Sequence, residues 1–431
     1  MKNPMLEIME QHHRDGRSGI YSACSANSYV LEAALEMGKA TNTAVLIEAT
    51  ANQCNQFGGY TGMKPQDFAD FVFQIADRVG FPKDMLILGG DHLGPLTWQS
   101  EPESEAMEKS MELLRQYVLA GFTKIHIDTS MRLKGDPEKL TDALIAKRAA
   151  VLATVAEAAF AERQKTHPNA PAPVYVIGSE VPIPGGAQVE EESIHVTSPA
   201  EFAATCEAFH AAFREAGLDD AFKRVVGVVV QPGVEFGDEQ IFAYSREAAK
   251  DLTDRLKDFA AIVFEGHSTD YQTRAQLREM VEDGIAILKV GPALTFYFRE
   301  ALFALAAIEA ELGLPNPSDF KNVLERVMCQ NPDNWKKHYH GSEEELAYKR
   351  KYSFLDRSRY YFADEAVQAS LKKLLENINS NPIPKTTLSQ YLPTAYTRLH
   401  RAGAAYSAEN LIKARVKDCI EDYLYAIRVY P

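Results

Sequence analysis

The stretch that decides the fold covers residues 85–95 and reads MLILGGDHLGP. Its first half is a short apolar run of the kind that forms a buried strand. Asp91 and His92 come next, at the point where this strand is predicted to end. In parallel α/β proteins, catalytic and binding residues collect at the carboxyl ends of the strands. An imidazole there can bind a metal while the adjacent carboxylate transfers protons. The other interpretation is a polar loop whose His92 only hydrogen-bonds to backbone.

Apolar runs of strand type recur along the chain, with helical stretches between them. The eight predicted strands cover residues 19–23, 44–49, 85–89, 124–128, 174–178, 225–230, 261–264 and 286–290. Apolar runs that alternate with helices indicate a parallel sheet. Eight such units predict an α/β protein with a (β/α)8 TIM barrel. A doubly wound open sheet is the competing architecture, but no G-x-G-x-x-G follows the first strand.

The pattern changes to helices alone after Thr295. We therefore predict two parts, a barrel over residues 1–295 and a helical extension over residues 296–431 that packs on the barrel. The extension is more chain than a TIM barrel needs. It is a candidate for the interface of a homo-oligomer.

Composition limits the classes of function. The chain has 431 residues, of which 46% are hydrophobic and 25% are charged, as in ordinary globular proteins. Its net charge of −14 argues against broad binding of nucleic acid. The five cysteines are scattered and include no C-x-x-C, which favours reduced thiols over a disulfide framework. We see no signal peptide and no apolar run that could cross a bilayer, so we expect a soluble cytoplasmic protein without a membrane partner.

Side chains suited to carbonyl chemistry follow most of the predicted strands. We expect them to converge at one end of the barrel, because the loops after successive strands meet there. The candidates are Asn27, Asp91, His92, Asp128, Glu180, Gln231, His267, Ser268, Lys289 and Gly291. Two histidines from different strands, with a Glu and a Gln between them, could hold a divalent metal ion such as Zn, Mn, Co or Ni. His126, on the fourth predicted strand, could instead have a structural role, as a buried histidine bonded to a neighbouring carboxylate.

Three further segments leave alternatives open. Gly291 begins a helix after the eighth strand, so its turn either binds phosphate through backbone amides or is a plain strand-to-helix connection. Residues 58–65, GGYTGMKP, fail as a P-loop, and we interpret residues 58–64 as a mobile lid, with residues 185–198 as a second candidate. Arg357 and Arg359 could reach a phosphate or another subunit, although ion pairs on a helix face are more common.

Six motifs resemble one known family: GGDHLGP, KIHIDTS, IGSEVPIPGG, QPGVEFGD, FEGHSTDYQ and LKVGPALT. They are similar to the Z-type, non-catalytic subunit family of tagatose-bisphosphate aldolase, over at least residues 4–361. That family is also labelled tagatose 6-phosphate kinase, and it includes ketohexose-phosphate 4-epimerases. The kinase label has no support in these residues, which contain neither a P-loop nor a kinase glycine loop. The family is related to the class II, metal-dependent aldolases, which are TIM barrels.

The resemblance also implies roles for individual residues. Asp91 would transfer protons, and His92 and His267 would bind the metal ion. Gln231 stands at the strand-six position where the aldolases have a metal-binding histidine. Glu180 would be a fourth ligand or a second acid and base. The expected substrate-binding residues are Asn27, Asp128, Ser268, Lys289 and Gly291.

Our leading functional hypothesis is an enzyme, a metal-dependent 4-epimerase of a ketohexose 6-phosphate in galactitol or tagatose catabolism. It would interconvert tagatose 6-phosphate and fructose 6-phosphate by a retro-aldol and aldol route, with Asp91 and Glu180 exchanging the proton. The alternative is a non-catalytic subunit that stabilises a class II tagatose-1,6-bisphosphate aldolase. Its partner would then be the catalytic subunit of that aldolase.

Overall fold

The computed structural model describes residues 2–179 and 194–428. The barrel strands are β1 Ile20–Ala23, β2 Val45–Thr50, β3 Leu86–Leu93, β4 Lys124–Ile127, β5 Val174–Ile177, β6 Val225–Val230, β7 Val263–Gly266 and β8 Ile287–Val290. These eight parallel strands close into a barrel, in the spatial order β1-β8-β7-β6-β5-β4-β3-β2. The predicted (β/α)8 TIM barrel is confirmed. The barrel closes through parallel pairing of β1 with β8, which an open sheet would lack.

Helices surround the barrel and continue beyond it. They are α1 Pro4–Asp15, α2 Ser28–Thr41, α3 Pro65–Val79, α4 Glu103–Ala120, α5 Asp142–Gln164, α6 Pro199–Glu215, α7 Asp219–Phe222, α8 Arg246–Leu256, α9 Arg274–Glu282, α10 Pro292–Glu311, α11 Phe320–Gln330, α12 Glu343–Tyr352, α13 Glu365–Ser380, α14 Lys385–Tyr391, α15 Pro393–Ala402 and α16 Ala408–Ala426. A two-stranded hairpin of Glu235–Phe236 and Ile241–Phe242 follows β6. No helix in the described ranges is long and apolar enough to span a bilayer.

The barrel interior has an apolar end, which belongs to a cluster of buried side chains separate from the main core. Met5 and Met9 of α1 pack into this cluster with residues of seven strands. The outer faces of the strands instead pack under the surrounding helices and form the main core. Because side chains alternate along a strand, Ile125 and Ile127 of β4 belong to this outer core, as the period of two predicts.

The third strand extends further than the sequence indicates. We predicted that it ends at residue 89, but β3 continues through Asp91 and His92 to Leu93. Its register against β4 shifts between Gly90 and Leu93, and His92 has a φ of 47°. Such bulges redirect a side chain and are common beside functional sites. The bulge therefore lets the Asp91-His92 pair sit within the strand end, not in the loop after it.

Two glycines of the same stretch are needed for close approach. A Cβ on Gly89 would lie 2.4 Å from Glu48 Oε1, and a Cβ on Gly94 would lie 1.8 Å from the carbonyl oxygen of Asp128. Any larger residue at position 89 would displace the buried Glu48 carboxylate, and one at position 94 would push β3 away from the end of β4. Gly89 thus makes room for the Glu48 side chain of β2, and Gly94 makes room for the backbone just after β4.

The helical extension is tied to the barrel by its last helix. Helix α16 packs against α2, α9 and α10. The Tyr423 hydroxyl donates to the carbonyl oxygen of Thr269 at 3.0 Å, and Lys413 and Lys417 both pair with Glu36 of α2. The end of the chain therefore covers barrel helices that come from both its beginning and its middle. The boundary at residue 295 stays a prediction.

Candidate functional site

Buried charges form an ion-pair chain across the carboxyl end of the barrel. Lys124 Nζ lies 2.7 Å from Glu48 Oε1 and 2.7 Å from Glu265 Oε2, and all three side chains are fully buried. Lys289 Nζ lies 2.7 Å from Asp91 Oδ2 and also pairs with Glu48. Charges buried without partners would cost several kcal/mol each. Each side chain in this ion-pair chain therefore stays charged because oppositely charged side chains lie beside it.

Both lysines of the ion-pair chain are ammonium ions. Burial acts to lower the pKa of Lys124, but Glu265 and Glu48 outweigh it and raise the pKa above the ordinary value. Burial likewise opposes the charge of Lys289, but Asp91 and Glu48 hold its pKa well above the usual range. A protonated lysine is not a nucleophile. Neither residue is therefore arranged for Schiff-base chemistry.

Three histidines converge beside these charges, and each is held by a carboxylate. His92 Nδ1 lies 2.8 Å from Asp128 Oδ2, His126 Nδ1 lies 2.9 Å from Asp91 Oδ1, and His267 Nε2 lies 2.9 Å from Glu265 Oε1. Their ring centroids are 4.9 to 5.3 Å apart. When the nitrogen that faces the carboxylate carries the proton, the other ring nitrogen keeps a lone pair. His126 Nδ1 also lies 3.2 Å from the donating backbone amide of His92, so at this ring the two contacts favour opposite tautomers. The three remaining nitrogens are His92 Nε2, His126 Nε2 and His267 Nδ1.

Two observations indicate that the cluster fits a metal ion. First, one ligand atom from each of Asp91, His92, His126 and His267 lies within 4.8 Å of all the others, and His126 Nε2 is buried without a hydrogen-bond partner in the described part of the chain. Second, the buried carboxylates outnumber the ammonium ions. Among the described residues of the ion-pair chain and the histidine cluster, the carboxylates of Glu48, Asp91, Asp128 and Glu265 face the ammonium ions of Lys124 and Lys289, which leaves two negative charges when the imidazoles are neutral. One divalent cation would balance them.

The pKa values of the cluster are set by its partners. Burial would raise the pKa of Asp91, but Lys289, His92 and His126 hold it well below its ordinary value. The pKa of Asp128 is also lowered, because its hydrogen bond with His92 brings it to about 2 despite burial. Burial lowers the pKa of His267 to about 3, so this imidazole is neutral at physiological pH. For His92, burial acts downward, but Asp91 and Asp128 raise its pKa overall.

A cavity of about 380 Å³ opens above the cluster. Its walls include Asn27, Ser268, Lys289 and Gly291, which the sequence nominated, together with Asp91, His92 and His267. The extension contributes Arg359 and Tyr360, and the Gly-rich loop contributes Tyr60. Asp128 lies behind His92 as its hydrogen-bond partner. The structure therefore gathers most of the nominated residues in one place, and their substrate-binding roles remain predictions.

Two of the candidate residues, Gln231 and Gly291, already have hydrogen-bond partners within the protein. Gln231 Oε1 accepts hydrogen bonds from the backbone amides of Gly233 and Val234, at 2.9 and 3.0 Å, so its carbonyl oxygen is already used in a turn. The amide of Gly291 donates to Asp270 Oδ1 at 3.1 Å, and Ala293 donates to the same oxygen at 2.8 Å. Glu180, and most of the second candidate lid, lie outside the described residues.

Sequence reasoning missed Lys124 and Asp270, and it noted Glu48 and Glu265 at strand ends without giving either a role in the site. Glu48, Lys124 and Glu265 carry charge within apolar strands. A charge in a buried strand costs free energy unless it is paired, so its presence was a usable signal. The pairing itself was not visible, because it joins β2, β4 and β7 across the barrel.

These features define a class, a TIM barrel with a buried cluster of histidines and carboxylates at the carboxyl end of its strands. The family model described as D-tagatose-1,6-bisphosphate aldolase subunit GatZ/KbaZ-like matches residues 5–428. The chain belongs to this family.

Relatives and a solved structure agree. The D-tagatose-1,6-bisphosphate aldolase subunits GatZ of Salmonella agona (strain SL483) and Salmonella typhimurium are each 47% identical over 422 residues, covering 98% of this chain and 98% of their own. A crystal structure of a probable tagatose 6 phosphate kinase from Sinorhizobium meliloti 1021 is 46% identical, with a TM-score of 0.86. It covers 95% of this chain and 100% of that chain. The predicted family resemblance is confirmed.

The comparisons correct our leading hypothesis. We predicted that the chain is an enzyme, a ketohexose-phosphate 4-epimerase. That prediction is wrong, because the relatives that match almost the whole chain are named as subunits of an aldolase and not as epimerases. The physical reason that sequence reasoning failed is that residue types alone do not show whether a carboxylate is free to act. Asp91 is bound on both oxygens, by His126 and by Lys289.

Asp270 gives a test of the site's electrostatics. Burial raises its pKa to about 6, against 3.8 ordinarily. The folded protein thus binds this proton more tightly than the unfolded chain. The resulting stability is fully present below about pH 4 and is lost as the pH rises through 6. The Asp270→Asn variant has no carboxyl group at this position, so it does not lose stability through this titration as the pH rises. Its free energy of unfolding relative to wild type should therefore rise by about 1 kcal/mol between about pH 5 and pH 8.

Urea unfolding of both proteins at the two pH values measures the difference. The exposed Asp251 serves as the matched control, and Asp251→Asn should show no comparable rise. A difference between Asp270→Asn and wild type that does not change with pH would contradict the assignment of a raised pKa to Asp270.

Proposed function

We propose that this chain is a non-catalytic subunit of a class II D-tagatose-1,6-bisphosphate aldolase, and that it stabilises the catalytic subunit of that enzyme. The observation that carries the proposal is the match of 98% of the chain to relatives named as GatZ subunits of this aldolase. On this proposal the partner is another protein, and the turnover of the assembled aldolase belongs to that partner.

The geometry of the site supports a role without turnover. A general base works best when its pKa lies near the working pH, and charged or hydrogen-bonding partners that lower the pKa of a carboxylate, as those of Asp91 do, make it a weaker base. Asp91 Oδ1 is engaged by His126 Nδ1 at 2.9 Å, and Asp91 Oδ2 by Lys289 Nζ at 2.7 Å. Asp128 is engaged by His92 and by the backbone and side chain of Ser130. The carboxylates nearest the cavity floor therefore serve to balance charge and orient imidazoles.

We further propose that the histidine cluster holds one divalent metal ion, with His92, His126 and His267 as ligands. Imidazole ligands favour Zn, Co, Ni or Mn. The carboxylates bonded to the other ring nitrogens would fix the tautomers and orient the rings. When bound, such an ion is a Lewis acid that attracts an oxygen of a ligand. In this chain it would balance the excess of buried carboxylates, and His126 would take the place that the resemblance gave to Gln231.

The functional proposal predicts a dependence between two proteins. The chain should be co-expressed with a class II tagatose-bisphosphate aldolase catalytic subunit, and cleavage of tagatose 1,6-bisphosphate should be measured over hours of incubation. We expect the activity of the catalytic subunit to persist several-fold longer with this chain than without it. The chain alone should cleave no ketose bisphosphate. Equal persistence with and without the chain would contradict the proposal.

Asp91→Asn is the internal control for this experiment, because it removes the charge of the carboxylate with little change of shape. If the chain acts only by supporting its partner, a folded Asp91→Asn variant should preserve at least half of the wild-type effect. If Asp91 performed chemistry, aldolase activity of the complex should fall by about 10²–10⁴ while the complex stays assembled.

The metal proposal predicts about one divalent ion per chain after purification with Zn²⁺ and desalting, measured by plasma mass spectrometry. His126→Ala should weaken zinc affinity by at least 10-fold, since it removes a ligand. Gln231→Ala should leave the affinity within about threefold, since its oxygen bonds to backbone. The reverse pattern, with loss in Gln231→Ala and none in His126→Ala, would return the third ligand to Gln231.

A further inference from the structure

Arg359 brings a positive charge from the extension to the wall of the cavity. It lies in the short 3-10 helix Arg357–Tyr361. Its Nη1 donates to the carbonyl oxygens of Leu355 and Asp356, and its Nη2 donates to the Tyr360 hydroxyl at 3.0 Å. Within residues 2–179 and 194–428, no carboxylate forms an ion pair with it. A guanidinium with neutral partners keeps its full charge available to a ligand.

A second arginine strengthens this charge. The guanidinium carbons of Arg357 and Arg359 both lie 4.5 Å from the centre of the Tyr360 ring. Arg357 donates to the carbonyl oxygen of Asn334, which is also neutral. Two like charges held around one ring repel each other, and an anion beside them relieves that repulsion. Only Arg359 of the two lines the cavity, so an anion would reach the pair from the cavity side.

The other positive groups around the cavity are already neutralised. Lys289 pairs with Glu48 and Asp91. The amides at the start of α10, where the sequence suggested a phosphate, donate to Asp270. An anion placed there would compete with a carboxylate of the protein itself. Arg359 is therefore the cation on the described cavity wall that is left for an external anion.

An aromatic contact links the Gly-rich loop to the short helix that carries Arg359. Tyr60, from the Gly-rich loop before α3, packs edge-on against Tyr360 with ring centres 4.9 Å apart. The cavity that both tyrosines line also has polar groups such as Ser25, Asn27 and Ser268 and ends at the histidine cluster. Its volume, about 380 Å³, suits a small molecule and not a polymer.

We propose that this cavity binds a small organic anion that carries hydroxyl groups, with Arg359 binding the anionic group. The anionic group is a phosphate monoester or a carboxylate, because a guanidinium forms paired hydrogen bonds with either. The hydroxyl groups face the polar side chains and the histidine cluster. This binding goes beyond support of an aldolase partner, because it needs no second protein. It makes the extension part of the ligand site.

The test uses the full-length chain, stripped of metal with a chelator and then dialysed, so that an ion in the cluster does not bind the probe. Isothermal titration with inorganic phosphate and, separately, with gluconate measures anion binding. Erythritol serves as the uncharged comparison. We expect saturable binding of at least one anion and none of erythritol. Phosphate alone would identify a phosphate monoester site, and gluconate alone would identify a carboxylate site.

Arg359→Gln should weaken the bound anion by about 10- to 100-fold, since it removes a charge-assisted pair of hydrogen bonds. Arg357→Gln, on the same short helix, removes the neighbouring charge that does not line the cavity, so it should weaken binding much less than Arg359→Gln does. Thermal melting confirms that each variant is folded. If Arg359→Gln does not fold, Arg359→Lys against Arg357→Lys decides, and only the former should lose affinity.

Two outcomes would overturn the proposal: a folded wild-type protein that binds neither anion, or an Arg359 variant that binds as tightly as wild type. The aldolase-support assay, run without added anion, is independent of both. Loss of anion binding with intact support would reject this inference alone, and loss of support with intact anion binding would reject the functional proposal alone.

Discussion

The ion pairs of Lys124 with Glu48 and Glu265 are the constraint on which the rest of the site depends. These three side chains are fully buried and come from β4, β2 and β7. Removing one partner of a buried pair typically costs about 3–5 kcal/mol, because it leaves an uncompensated charge. The same carboxylates continue the network, since Glu48 also pairs with Lys289 and Glu265 also holds His267. Through Glu265, the charge of Lys124 on β4 therefore helps to fix the orientation of the His267 imidazole.

A second buried charge holds the segment that carries Arg359 against α10. The Asp356 carboxylate pairs with Arg299 of α10 at 2.9 Å and accepts hydrogen bonds from Thr295 and Ser358. Asp356 has a φ of 43° and begins the short helix that carries Arg359. This arrangement places Arg359 at the cavity wall, although its segment follows α12 and lies far from β8 along the chain. The extension thus serves the barrel site as well as the outer helical layer, where α16 packs.

The fold could be predicted from the sequence because buried parallel strands appear as apolar runs, and eight of them separated by helices leave few architectures. His126 was also accessible, since the alternation in KIHID turns it inward when Ile125 and Ile127 face the helices. The bulge at His92 was not, because it arises from the pairing of β3 with β4 and not from a local preference. Gln231 was nominated by position in a related family, and its use by two backbone amides depends on the turn after β6. Arg359 lies far along the chain from the cluster, so only the tertiary fold brings them together.

We propose a barrel whose three histidines hold a divalent metal ion while the described carboxylates Asp91, Asp128 and Glu265 orient them, and the identity of the ligands is the most direct test of that claim. Crystals of the full chain grown with Zn²⁺ or Co²⁺ should be measured on both sides of the metal absorption edge. We expect one anomalous peak per chain, about 2.1 Å from His92 Nε2, His126 Nε2 and His267 Nδ1. Absence of a peak at saturating metal, or a peak whose ligands exclude His126, would contradict the claim.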